Sequence, residues 1–174
     1  MHCLQDQAPT RGVYTIPFSE VKATHFHSEW KAFFDITWPD SPPRRVIIHL
    51  VSSYPTDHTR VMFMLCTGEK GRSYINSGVD VIDGEMSSEH LIFGKGCRSP
   101  ATFSTISRGR LVNDKVGFVD VSEDGQVHIT INPGISFCTT VGNVCSGMDV
   151  LQEASEYYNT SKVQLVDCGV VLPC

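Results

Sequence analysis

The feature that most restricts the fold of this 174-residue chain is an alternation of apolar and polar side chains between positions 119 and 131. The apolar positions lie on both sides of the turn-forming stretch Ser122-Glu123-Asp124-Gly125, and they are Val119, Val121, Val127, Ile129 and Ile131. An apolar residue at every second position places its side chain on the same face of a strand each time. The stretch therefore predicts a β-hairpin that is buried on one face, as in an antiparallel sheet.

Short strands are also predicted on both sides of this hairpin. The aromatic stretch from Trp30 to Trp38 and the apolar stretch from Arg45 to Val51 are separated by a Pro-rich turn, which predicts another hairpin. Two helices are predicted, one beginning near Ser53 and Pro55 and ending at Gly68, and one from Gly147 to about Tyr158. Further strands are predicted at 79–82, 91–93, 101–107, 115–121, 126–131, 137–144 and 163–166.

The order of these elements predicts a mostly β fold. The chain lacks the repeated strand–helix units that join parallel strands, so we expect an antiparallel barrel of about eight strands that is capped by two helices. A β-sandwich is the alternative that the pattern alone leaves open. The weakly patterned residues 1–27 are expected to form an N-terminal extension or linker, and residues 28–174 a single domain.

Three segments resemble the cyclophilin family of β-barrel prolyl isomerases. They are Leu65-Cys66-Thr67-Gly68-Glu69-Lys70-Gly71, Gly147-Met148-Asp149-Val150 and Thr160 to Gly169, which ends in Val166-Asp167-Cys168-Gly169. The resemblance covers about residues 30–172. It implies a cyclophilin-like closed antiparallel barrel, in which the glycines permit tight turns and the cysteines pack as small apolar side chains.

The resemblance also implies a prolyl isomerase site, which in this family contains an Arg that polarises the prolyl amide and a pocket walled by Phe, Met, Trp and His. The corresponding stretch, Tyr74 to Met86, contains no Arg, Gln or His, and both tryptophans lie in the first predicted strand, so the pocket Trp is absent too. We therefore expect no catalytic residue and no enzymatic activity. A weak or altered prolyl isomerase that uses Arg72 or Arg98 is the alternative.

A remnant of the family's groove is recognisable after the hairpin turn. Asp124-Gly125-Gln126-Val127-His128-Ile129 resembles the family's N-G-S-Q-F-F-I. This similarity implies that Gln126 takes the place of the peptide-orienting Gln, His128 that of the pocket Phe, and Ser122 and Glu123 those of an Ala and an Asn. These four residues are the expected binding site, although an ordinary hairpin with polar residues facing solvent would have the same pattern.

Charge and composition argue against several classes of function. The formal net charge is −5 and the few Lys and Arg are scattered, which argues against nucleic-acid binding. No apolar run is long enough to span a membrane, and the first residues lack the features of a signal peptide. His25 and His27 have no further ligands at suitable spacing, so neither a metal nor a cofactor is expected.

These observations predict an interaction module inside the cell. The seven cysteines are irregularly spaced, which fits a reducing compartment, cytoplasmic or nuclear. We expect a protein or peptide partner, basic or mixed in charge, and a domain that belongs to a larger protein or assembly. An edge strand would also allow self-association. A purely structural module without a separate partner is a further alternative.

Overall fold

A computed structural model describes residues 2–3, 14–15, 30–50, 57–69, 71–83, 89–95, 97, 111–113, 115–136, 139–157 and 159–171. The strands in this part of the chain are β1 His2–Cys3, β2 Tyr14–Thr15, β3 Lys31–Thr37, β4 Arg44–Leu50, β5 Val79–Asp83, β6 Glu89–Phe93, β7 Leu111–Asn113, β8 Phe118–Val121, β9 Val127–Asn132, β10 Gly134–Ser136, β11 Thr139–Ser146 and β12 Gln164–Val171. The helices are α1 Asp57–Thr67, α2 Met148–Glu156 and a 3₁₀ turn at Thr160–Lys162.

Eight strands form one antiparallel sheet in the order β12-β3-β4-β11-β8-β9-β6-β5. The two outer strands of this sheet meet where Gly78 bridges Gln164. There the Asn76 N–H donates to the Leu165 carbonyl over 2.7 Å, and the Leu165 N–H donates to the Ser77 carbonyl over 3.3 Å. The sheet therefore curls into a nearly closed barrel. Two small antiparallel pairs, β1 with β2 and β7 with β10, accompany it.

Apolar side chains from every second position fill the barrel. Val119, Val121, Val127 and Ile129 are fully buried, as their alternation predicts. Rings from three separate elements meet in the same core: the Phe34 ring centroid lies 5.8 Å from that of Tyr74 and 5.3 Å from that of Phe93. Offset and edge-on aromatic contacts of this kind add stability beyond the area they bury.

The two helices pack against the barrel through their apolar faces. Helix α1 buries Val61, Met62 and Leu65, and Gly68 follows it with a left-handed φ of 69°, as expected for a helix end. Helix α2 begins at Met148 and buries Val150, Leu151 and Ala154. Met148 and Ser155, on the same helix, are only half-buried.

The predicted mostly β fold, an eight-stranded antiparallel barrel with two helices, is confirmed. Some boundaries differ. Strand β12 continues to Val171 because a bulge between Leu165 and Asp167 lets it keep pairing with β3. Strand β8 begins only at Phe118, since Gly117 has a φ of 84° and ends a turn. Strands β7 and β10 were not predicted, because three residues are too few to show alternation.

Several sequence predictions fall outside the described residues. These are the strand at 101–107, the helix start at Ser53 and Pro55, the pair His25 and His27, and Arg98 of the alternative isomerase site. The boundary between an extension at 1–27 and a domain at 28–174 also stays a prediction. Within the described ranges, no helix combines the length and the apolar character that crossing a bilayer requires.

Candidate binding face

The outer side of the barrel carries one continuous row of cross-strand neighbours. The strand register pairs Asp80 with Ile92, Ile92 with His128, His128 with Asp120, and Asp120 with Thr140. Residues directly opposite each other in neighbouring strands point to the same side of the sheet. The row therefore crosses five strands, from β5 through β6, β9 and β8 to β11. We call this outer side of the five strands the candidate face.

A second pair lies next to this row. His90 on β6 is opposite Thr130 on β9, and its Nδ1 lies 3.5 Å from the Thr130 Oγ1. The His90 and His128 ring centroids are 6.3 Å apart, with an angle of 66° between the ring planes. We call the five residues that meet here the outer polar cluster; they are His90, Asp120, His128, Thr130 and Thr140.

Most of the outer polar cluster is buried, although it lies on the outside of the barrel. Asp120 and Thr130 are 0% exposed, and His90 is 7% exposed. The Thr140 hydroxyl donates to the Asp120 carboxylate over 2.7 Å. The His128 Nε2 is buried and has no hydrogen-bond partner among the residues that the structure describes. Buried polar atoms normally have a partner, so this unpaired ring nitrogen is a position that could accept a proton.

Burial sets the protonation of the two imidazoles. It lowers the pKa of His90, against the opposite effect of the negative charge on Asp120. It also lowers the pKa of His128, and the neighbouring His90 lowers it further. Since the ordinary histidine pKa is about 6.5, both rings are neutral at neutral pH.

Three of the four residues predicted to form the site lie together in the turn between β8 and β9. The Ser122 N–H donates to the Gln126 carbonyl over 3.0 Å, and the Ser122 hydroxyl accepts the Gln126 N–H over 3.1 Å. The Ser122 hydroxyl also contacts the Asp124 carboxylate. Glu123 is exposed at the tip of this turn. His128, the fourth predicted residue, belongs instead to the outer polar cluster on β9.

The side chain of Gln126 is already engaged within the turn. Its Nε2 donates to the Asp124 Oδ2 over 2.8 Å. To orient a bound peptide, the amide would first have to leave this carboxylate. Gln126 therefore contributes to the shape of the turn in this structure, and its role in binding stays a prediction.

The stretch after Gly71 connects α1 to the candidate face. The Tyr74 hydroxyl is buried and donates to the Gly125 carbonyl over 2.7 Å, which ties this stretch to the β8–β9 turn. Burial raises the pKa of Tyr74, so the hydroxyl keeps its proton and remains a donor. On β5, Asp80 pairs with Lys95 at 2.6 Å. Arg72 lies in the loop before β5, where its charge lowers the pKa of Cys97 against the larger, opposite effect of burial.

Replacing Tyr74→Phe tests this connection. The Gly125 carbonyl would lose its buried partner, and we expect the free energy of unfolding to fall by about 1–3 kcal/mol. Urea denaturation measures this change. Ser155→Ala is a matched control, because it removes an exposed hydroxyl that donates to the Gln152 carbonyl over 2.8 Å. Equal effects of the two substitutions would contradict the role given to Tyr74.

The described residues offer no metal site. They contain no group of three or more His, Cys, Asp or Glu arranged to hold a metal ion. Cys66 and Cys168 are buried free thiols. Burial raises the pKa of Cys66, so this thiol stays protonated and packs as a small apolar side chain, as the sequence predicted. Thr130 is too deeply buried to act as a nucleophile. The candidate face can therefore bind through hydrogen bonds and charge, and it can respond to protons.

The residues that the sequence analysis missed are His90, Asp120, Thr130 and Thr140. Asp120, Thr130 and His128 occupy the polar positions of the same alternation that identified the hairpin. A signal was thus present, but a polar residue on the second face of a strand is usually assigned to solvent. His90 lies before the predicted start of its strand at residue 91.

Comparison with known proteins identifies the architecture. No protein-family model matches the chain, and no curated protein matches it. Among solved structures, the crystal structure of the Mimivirus cyclophilin is similar, with a TM-score of 0.61, 15% sequence identity, and coverage of 86% of this chain and 92% of that chain. The chain thus has a cyclophilin-like fold.

Proposed function

We propose that this cyclophilin-like barrel is a binding domain that takes a protein or peptide segment along the outer face of β5, β6, β9 and β8, without isomerising proline. The partly exposed side chains of the proposed binding face are Asp80, His128 and Thr140, and the buried side chains of His90, Ile92, Asp120 and Thr130 lie beside them in the same strands. The domain would act as an interaction module of a larger intracellular protein or assembly. The free thiols of Cys66, Cys97, Cys145 and Cys168 support a reducing compartment.

The observation that carries this proposal is the chemistry of the row. Acidic and imidazole side chains occupy three of its five positions, with Asp80 at the β5 end and His128 and Asp120 further along, and the other two positions carry Ile92 and Thr140. The sequences of β5, β6, β8 and β9 contain no Arg. Only a guanidinium combines a permanent charge with a rigid fork of donors, as polarising a prolyl amide requires. A face with carboxylates instead favours binding over catalysis.

The charges support a basic or mixed partner. Glu123 and Asp124 are exposed on the turn beside the face, and Asp80 is partly exposed at its other end. Complementary charge raises association rates and fixes the orientation of a bound segment. A lysine-containing peptide would find the Asp80 carboxylate on β5, where it would compete with Lys95, and the carboxylates of Glu123 and Asp124 on the turn.

Fluorescence anisotropy with the full chain tests the proposal. The probes are a lysine-rich, a glutamate-rich and a proline-rich peptide of equal length, each carrying the same dye. We expect the lysine-rich peptide to bind most tightly, and Asp80→Asn or His128→Ala to weaken it about tenfold, or about 1.4 kcal/mol. Gln126→Ala should have a smaller effect, because its amide already donates to Asp124.

Asp149→Asn is the matched control for the charge change. Asp149 lies on α2, where it pairs with Arg44 at 2.7 Å, so its loss should leave peptide binding unchanged. The proposed binding face would be refuted if none of the three peptides bound, or if bound peptide were insensitive to both Asp80→Asn and His128→Ala.

A further inference from the structure

His90 and His128 place two imidazole rings next to each other at the centre of the candidate face. The rings belong to the neighbouring strands β6 and β9, with their centroids 6.3 Å apart. His90 is 7% exposed, and within the described part of the chain the buried Nε2 of His128 has no hydrogen-bond partner. A buried imidazole gains a proton only at a cost, because the charged ring loses its hydration. Two neighbouring rings that both gain protons also repel each other.

The groups facing the pair do not remove this cost. Asp120 faces both rings from β8 and its negative charge raises the pKa of both, but burial is the larger effect and lowers the pKa of both. The hydroxyl of neutral Thr130 lies 3.5 Å from the His90 Nδ1. Among the side chains that the structure describes, the other charged groups of the surrounding strands and turns are Glu89, which accepts from Asn132, Asp80 paired with Lys95, Lys115 over the Phe118 ring, and Glu123 and Asp124 on the turn.

We propose that His90 and His128 act as a proton switch for this face, so that acidification loosens the outer side of β6 and β9 and weakens binding of a cationic partner. The predicted weakening of partner binding rests on the function proposed above, whereas the predicted loosening of β6 and β9 does not. Two added positive charges on the central rings would oppose a lysine-containing segment directly. They would also separate the strands that form the floor of the face.

The direction of the pH effect follows from burial. Because burial lowers the pKa of both rings, the opened face binds more protons than the closed face once the pH falls below about 6.5. The closed arrangement therefore has its full stability above that pH and loses it progressively toward the lowered pKa values. The histidine pair is the only part of this mechanism that needs to titrate.

Amide hydrogen exchange and ring NMR measured on the full chain test the loosening. Between pH 7.5 and 5.5 we expect protection factors in β6 and β9 to fall about tenfold relative to those in β3 and β12. His90→Gln and His128→Gln should each reduce this fall, whereas His49→Gln on β4 should not. If either variant fails to fold, titration of the wild-type rings decides. Midpoints at or above about 6.5 for both rings would overturn the switch.

A second arm separates the switch from the proposed function. The lysine-rich peptide is measured at both pH values with wild type and the His→Gln variants. Weaker binding at pH 5.5 that either variant lessens supports the proposal. Equal peptide binding at both pH values overturns the proposed effect on binding, even if amide hydrogen exchange in β6 and β9 depends on pH. If the peptide binds at neither pH, the proposed function fails, and the exchange result alone supports or refutes the loosening.

Discussion

Replacing Gly142→Ala is expected to destabilise the barrel by about 3 kcal/mol, at the upper end of what overpacking costs. Gly142 lies in β11 between β4 and β8, where it is paired with Leu50 and Val119. A Cβ at this position would lie 2.2 Å from the His49 carbonyl oxygen and 3.2 Å from the Leu50 Cα. Both atoms belong to the backbone of β4, so the contact can be relieved only by moving a strand at the centre of the sheet.

Gly78→Ala is the control for this prediction. Gly78 also belongs to the barrel, at the bridge that joins β5 to β12, but a Cβ there would meet nothing within 4 Å. The substitution also reduces the freedom of the unfolded chain, so its effect should lie between zero and about 1 kcal/mol of stabilisation. Urea denaturation of both variants gives the comparison. Equal midpoints would show that β4 and β11 are not packed at this distance.

The barrel could be predicted because its evidence is local and repeated. Val119, Val121, Val127 and Ile129 alternate on both sides of a turn, and each of them is fully buried in the structure. Gly68 is at the end of a helix and has the left-handed backbone that its position implies. Such features depend on a few neighbouring residues, so they can be recognised before any tertiary contact is known.

The candidate face could be predicted only in part, because burial on the outside of a barrel is not a local property. Alternation assigns Asp120 and Thr130 to the face opposite the core, yet both are 0% exposed. The proximity of His90 to His128 depends on the register between β6 and β9, which the sequence does not encode at either residue alone. Similarly, the bond from Gln126 to Asp124 depends on the geometry of the turn.

The largest functional effect we expect is an absence of catalysis. Rotation about an X–Pro bond has a barrier of about 18–20 kcal/mol, and a catalyst must stabilise the twisted amide. On β5, Asp80 lies on the outer side of the barrel, and its carboxylate forms an ion pair with Lys95. His128, which the sequence analysis assigned to the pocket Phe position, has an imidazole ring that is neutral at neutral pH because burial lowers its pKa. Neither side chain supplies the permanent cation that this catalysis uses.

The most direct test is NMR exchange spectroscopy on a proline tetrapeptide, with and without the full chain. With the chain present, we expect an interconversion rate within about twofold of the uncatalysed rate. Uncatalysed interconversion takes tens to hundreds of seconds. Clear acceleration that disappears in an Arg72→Ala or Arg98→Ala variant would contradict it, and would identify the chain as a prolyl isomerase with a relocated arginine.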